Sequence, residues 1–177
     1  MKNTVKIVAG ILGLGLGLVW AMEEHQMPKR TYSMEFEQVK NLAGSWKGTG
    51  FHPDGKTEPA FTEYRVTSNG SAVEERLMPG TPHEMVDMYT EENGKVAMTH
   101  YCAIGNQPHM ISKQADSKKI ALETTVVPGL DAAKDMHMHA LTLEFPDKDH
   151  LVQTWTSHAN GKPSEVMVFK FARAPSR

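Results

Sequence analysis

The chain has a single cysteine and no excess of basic residues. The first shortage excludes an internal disulfide, and the second argues against nucleic-acid binding. Cys102 has no partner for an internal disulfide, so the thiol is buried and inert, a metal ligand or a reactive group, and burial is the interpretation we favour. The 19 Lys and Arg residues are outnumbered by 21 Asp and Glu. Nucleic acid is therefore not an expected partner.

A long apolar run occurs only at the N-terminus, where Lys2 and Lys6 precede uncharged residues that continue to Met22. This run is shorter than the roughly 20 residues of a membrane-spanning helix. It ends at Val19-Trp20-Ala21, a small-residue cleavage signal. We predict a signal peptide over 1–21 and export to the periplasm or the medium, without stable membrane insertion; a retained membrane anchor is the alternative.

After the leader, about 155 residues remain, enough for one domain with its own core. Residues 22–34 are polar, contain Pro28 and lack an apolar period, which predicts a flexible N-terminal arm. Apolar residues at helical spacing between Glu35 and Leu42, followed by Gly44, predict a short helix that plugs one end of the domain. The domain itself is expected to cover 35–177.

From Gly44 onward, short alternating runs are separated by turn signals. Strands are predicted over 44–51, 60–68, 71–78, 84–91, 95–103, 109–115, 119–127, 136–145, 150–158 and 164–173. Asn69-Gly70, Asn93-Gly94 and Asn160-Gly161 are hairpin dipeptides, because Asn and Gly accept the positive φ of tight turns. The fold class is therefore all-β: a closed antiparallel up-and-down barrel of about 8–10 strands, since closure leaves no exposed edge.

Gly44-x-Trp46-x-Gly48 on the first strand and Arg173 on the last resemble the calycin superfamily, the lipocalins and their relatives. The resemblance implies that Arg173 lies across the Trp46 ring and seals the barrel base. The chain lacks the other lipocalin motifs and disulfides, and is more similar to the compact ten-stranded relatives, which include fatty-acid-binding proteins and nitrobindin-like haem binders. Segments such as Thr99-His100-Tyr101-Cys102 also resemble an uncharacterised bacterial family, which implies no activity.

Strand alternation places histidines and the cysteine on faces that we expect to point into the barrel. On one strand these are Met98, His100 and Cys102, and on another His137, His139 and Leu141. Imidazole and thiolate suit zinc or copper, so His100, Cys102, His137 and His139 are candidate metal ligands. The alternative is that they only line a cavity and hydrogen-bond to carboxylates or water.

Charged residues on two predicted strands have two interpretations. The residues are Glu63, Arg65, Glu74, Glu75 and Arg76. Either one pair lines a polar lumen and orients a ligand, or they form cross-strand ion pairs on the outer face, which we favour.

The expected function is binding of a small, partly apolar ligand inside the barrel, because a barrel of this size can enclose one small molecule. Candidate lining residues are Met98, His100, Cys102, His137, His139, Leu141, Gln153 and Phe169. A metal-dependent or cysteine enzyme using His100, Cys102 and His139, a haem-binding barrel, and a scaffold without a ligand are the alternatives. An enzyme is the less expected outcome, no cofactor is expected, and neither the ligand nor the oligomeric state follows from the sequence.

Overall fold

The computed structural model describes residues 30–175, which form one α-helix, a short 3-10 helix over Ser68–Gly70 and a closed barrel of ten antiparallel strands. The predicted signal peptide over 1–21 and residues 22–29 of the predicted arm lie outside the described residues. The elements are α1 (Met34–Lys40), β1 (Gly44–Phe51), β2 (Thr57–Thr67), β3 (Ala72–Leu77), β4 (Met85–Glu92), β5 (Lys95–Tyr101), β6 (His109–Asp116), β7 (Lys119–Val126), β8 (His137–Asp147), β9 (His150–Ala159) and β10 (Lys162–Arg173). Among the described residues, no helix has the length and hydrophobicity to cross a membrane.

Each strand pairs with its sequence neighbours, and β1 pairs with β10 to close the barrel. The up-and-down barrel predicted from the alternating runs is thus confirmed. In the three predicted hairpin dipeptides both residues have positive φ, for example 51° at Asn93 and 77° at Gly94. These turns match the twist of the strands they join.

Glycine at position 48 is required by the closure of the barrel. A Cβ at Gly48 would lie 1.8 Å from the carbonyl oxygen of Lys170 on β10, far inside van der Waals contact. Only a residue without a side chain lets β1 come this close to β10. The second glycine of the Gly-x-Trp-x-Gly motif therefore has a packing role.

Helix α1 covers one end of the barrel, which we call the base; the opposite end is the mouth. Ser33 caps the helix by accepting a hydrogen bond from the Phe36 backbone N–H (3.3 Å), and Phe36 and Val39 are fully buried. The helix begins and ends earlier than the predicted Glu35 to Leu42. Its Glu35 carboxylate accepts a hydrogen bond from the Ser112 hydroxyl on β6 (2.7 Å), which attaches the helix to the barrel wall.

The contact implied by the calycin resemblance is present at the base. The Arg173 guanidinium lies 4.2 Å from the centroid of the Trp46 ring and donates to the carbonyls of Ala43 and Asn41. The Trp46 indole N–H donates to the carbonyl of Leu42 (2.8 Å). The last strand is thereby tied to the segment between α1 and β1.

Candidate functional site

Four polar residues on four adjacent strands form a belt inside the barrel. The strand register places Tyr64 (β2) opposite Glu75 (β3), Glu75 opposite Asp87 (β4), and Asp87 opposite His100 (β5). All four are buried, with Glu75 and Asp87 fully so. We call these four residues the polar belt. Residues opposite one another share a face of the sheet, so this register makes the four side chains successive neighbours on the lumen face.

One half of the belt is a saturated hydrogen-bond network around Glu75. Its carboxyl group accepts from the Thr62 hydroxyl (2.7 Å) and the Gln153 amide (2.6 Å), and also contacts the Tyr89 hydroxyl (2.8 Å). Burial, together with the nearby Asp87 carboxylate, raises the pKa of Glu75 to about 7. Near neutral pH this carboxyl group is therefore close to half protonated.

The other half of the belt is the Asp87–His100 pair. His100 Nδ1 lies 2.6 Å from Asp87 Oδ1, and the imidazole packs against the Trp155 ring at 4.7 Å between centroids. Burial acts to lower the pKa of His100, but the Asp87 carboxylate and the Cys102 thiol outweigh it and raise the pKa to about 10. The imidazole beside Asp87 is thus protonated at neutral pH.

This pair leaves two polar atoms without partners among the described residues. His100 Nε2 and Asp87 Oδ2 are both buried and make no hydrogen bond there. A buried polar atom without a partner costs about 1–3 kcal/mol. Nε2 is a donor on an imidazolium and Oδ2 an acceptor on a carboxylate, so the pair offers one unused donor and one unused acceptor.

Cys102 follows β5 at the mouth and is partly exposed, whereas we predicted it to be buried. Burial acts to raise the pKa of the thiol, but the nearby His100 outweighs it, and the pKa lies below the ordinary value of a cysteine. No hydrogen bond joins His100 Nε2 to the sulfur. The positive charge of the nearby imidazole contributes to this lowering.

The loop after Cys102 is held in place by Asn106. The Asn106 side-chain amide donates to the carbonyl of Met136 (2.8 Å), which ties the β5–β6 loop to the β7–β8 loop.

The remaining predicted lining residues of the lumen lie in the core. Met98, Leu141 and Gln153 are fully buried and Phe169 is nearly so. Nearer the mouth, partly buried methionines pack against the core: Met85, Met138 and Met167. Met167 is opposite Trp155 in the register, so this apolar surface adjoins the imidazole of His100.

The structure places His137 and His139 differently from the predicted lumen positions. Strand β8 has a bulge between Met138 and Ala140, which shifts the alternation, and His137 is opposite His158 on β9. On β9, Trp155 and Ser157 are buried, and Trp155 donates a hydrogen bond to Gln153 in the lumen. The next residue, His158, therefore faces outward. His137 and His139 share this outer face with it. The four predicted metal ligands are therefore in two separate places. His100 and Cys102 lie near Asp87, whereas His137 and His139 lie beside His158.

The charged residues of β2 and β3 divide between the two faces. Arg65 and Glu74 form an outer cross-strand ion pair (2.6 Å), and Glu63 is opposite Arg76 on the same face. The two lumen acids, Glu75 and Asp87, were not singled out together from the sequence. The sequence does contain a pattern that could have identified them. Each is an acidic residue at an alternating position of its strand that is otherwise apolar, as Glu75 is between Val73 and Leu77.

Comparison with solved structures supports the fold. The chain resembles a protein of unknown function from the DUF3598 family of Nostoc punctiforme, with 12% identity over 77% of this chain and a TM-score of 0.54, and it spans only 49% of that protein's length. It also resembles Rv2717c from M. tuberculosis, with 14% identity, 82% of this chain and 100% of that chain covered, and a TM-score of 0.56. At such identities the likeness shows the barrel fold alone. No family model matches the chain, and no curated protein is significantly similar to it.

Proposed function

We propose that the protein binds a small, partly apolar molecule inside the mouth of the barrel, and that Asp87 and His100 hold its polar end. The observation that carries this proposal is that the contacting residues His100 and Asp87 leave two buried polar atoms, Nε2 and Oδ2, without partners among the described residues. A ligand that satisfies both atoms removes a desolvation cost that the fold otherwise bears. Such a ligand accepts from the imidazolium and donates to the carboxylate, as a carboxylic acid with a neighbouring hydroxyl, or an amide, does.

The apolar part of the ligand would lie on the methionines at the mouth. Met85, Met138 and Met167 are partly buried, and unbranched thioether side chains repack readily around guests of different shape. Trp155, which already packs on His100, would supply a flat aromatic wall. Apolar walls with a few convergent polar groups are typical of small-molecule sites.

Export of the protein is part of the same proposal and is supported by the N-terminal sequence alone. Lys2 and Lys6, the uncharged run and Val19-Trp20-Ala21 have the order of a signal peptide. Native mass spectrometry of protein taken from the periplasm or the medium tests both parts. A chain that begins at Met22 supports cleavage, and an additional organic mass supports a bound ligand.

The binding site is tested with 1-anilinonaphthalene-8-sulfonate, whose rings suit the methionines and whose sulfonate suits a protonated imidazole. We expect a fluorescence increase on binding to the wild type, and affinity at least about tenfold weaker in His100→Gln, because a charge-assisted hydrogen bond contributes about 1.5–3 kcal/mol. The matched control is His109→Gln, since His109 lies opposite Thr99 on the outer face of the adjoining strand. Equal affinity in the two variants, with both folded by circular dichroism, would refute the site.

A second candidate is a cysteine-dependent activity, favoured by the arrangement Asp87, His100, Cys102. Asp87 orients the imidazole through the 2.6 Å contact at Nδ1, and the positive charge on His100 lowers the pKa of the thiol. A thiolate held beside an oriented imidazole is the general arrangement of nucleophilic cysteines. His139, which the sequence grouped with this pair, lies on the outer face and would have no part in it.

A further inference from the structure

We propose that His137, His139 and His158 form a zinc site on the outer face of the barrel near its mouth. Each of the three side chains offers a ring nitrogen, and these nitrogens lie within 4.8 Å of one another. His137 Nε2 and His139 Nδ1 are 3.3 Å apart. Two nitrogens bound at about 2.0–2.1 Å to one tetrahedral Zn²⁺ are separated by nearly this distance.

The tautomer of His137 is fixed by its surroundings. Its Nδ1 lies 2.9 Å from the carbonyl oxygen of Asp135, and a carbonyl can only accept. Nδ1 therefore carries the proton, and in the neutral ring the lone pair is on Nε2, which points toward His139. A backbone carbonyl that orients a ligand histidine in this way is a common outer partner in metal sites.

The bulge in β8 brings the three rings together. It allows His137 and His139 to remain on the outer face while Leu141, two residues on, faces the lumen. The His139 ring stacks on that of His158 at 3.6 Å. Both of these rings are partly exposed and χ2 of histidine is broad, so rotations that open the stack can direct their nitrogens at one ion beside the buried His137.

The donor set selects the class of metal. Three imidazoles suit borderline divalent cations, of which Zn²⁺ accepts three protein ligands and a fourth position held by water or another group. Glu123 on β7 lies 3.6 Å from His139 Nε2, the ring nitrogen that does not face His137, so its carboxylate can orient this imidazole from outside the site. Ca²⁺ prefers oxygen ligands and should not bind here.

The test is calorimetric titration of the chelator-treated full chain with Zn²⁺, repeated with Co²⁺ to record visible absorption. We expect one Zn²⁺ per chain, with affinity reduced at least about 100-fold in His139→Ala and His158→Ala, because each removes a direct ligand. His150→Ala is the matched control, since His150 lies on the same strand β9 at the opposite end. Cys102→Ser is the second control, and both controls should bind Zn²⁺ as the wild type does.

Three results would overturn the proposal. The first is wild-type affinity in the folded His158→Ala variant. The second is loss of binding in Cys102→Ser together with a thiolate-to-Co²⁺ absorption band, which would place the metal at Cys102. The third is absence of Zn²⁺ binding to the wild type. His139 and His158 are at the surface, so unchanged thermal melting of both variants will separate loss of a ligand from loss of the fold.

Discussion

Replacement of Glu75 by Gln should remove a pH dependence from the stability of the barrel. Glu75 is fully buried in the lumen, where its oxygens contact Thr62, Gln153 and Tyr89. Glutamine has the same shape, and its Oε1 can accept from Thr62 and Gln153 while its amide donates to the Tyr89 hydroxyl oxygen. The substitution thus keeps the contacts with Thr62 and Gln153, reverses the direction of the hydrogen bond with Tyr89, and removes the ability to ionise.

The size and sign of the effect follow from the pKa of Glu75, which is raised from 4.5 to about 7 by burial and by the Asp87 carboxylate. Between these values the folded protein holds a proton that the unfolded chain has released. The contribution to stability is complete below about pH 4.5 and is lost as the pH rises through about 7. At about 1.4 kcal/mol per pH unit it amounts to about 3 kcal/mol, most of it lost between pH 5 and pH 8.

The assay is urea unfolding at several pH values from 5 to 8, followed by the fluorescence of the buried tryptophans. The free energy of unfolding of Glu75→Gln, relative to wild type, should rise by about 2–3 kcal/mol across this range. His100 is present in both proteins, so its own titration largely cancels in the difference. Glu74→Gln, on the outer face of the same strand, should not reproduce the rise. A difference that stays constant with pH would refute the reasoning, and one that falls would mean that the fold requires the ionised carboxylate.

Two further predictions concern the base and the thiol. Arg173→Ala removes the cation–π contact and the hydrogen bonds at the base, and should lower the free energy of unfolding by about 2 kcal/mol. Arg173→Lys should restore less than half of this loss. Full stability in the alanine variant would contradict this role. Cys102 should react with iodoacetamide at pH 7 faster than an unperturbed cysteine does. The reaction should be slower in Asp87→Asn, because loss of the carboxylate lowers the pKa of the neighbouring imidazole. Equal rates in the wild type and Asp87→Asn would exclude this coupling.

The sequence determined the barrel because its signals are local. Alternation over short runs, and the Asn-Gly pairs that accept positive φ, specify strands and hairpins without reference to distant residues. Predicted and observed strand bounds agree closely, and identically for Gly44–Phe51. The contact of Trp46 with Arg173 also followed from the sequence, through a motif resemblance that joins the two ends of the chain.

The tertiary structure alone decided which polar residues meet. Alternation within β8 predicted that His137 and His139 face the lumen, and one bulged residue reversed that result, because a period of two leaves no tolerance for an insertion. The register across four strands likewise brought Asp87 to His100 and to Glu75, residues separated in the chain. Alternation assigns a side chain to one face of its own strand. Only the pairing between strands decides which side chains of neighbouring strands it contacts. Pairing depends on long-range contacts that a single sequence does not display.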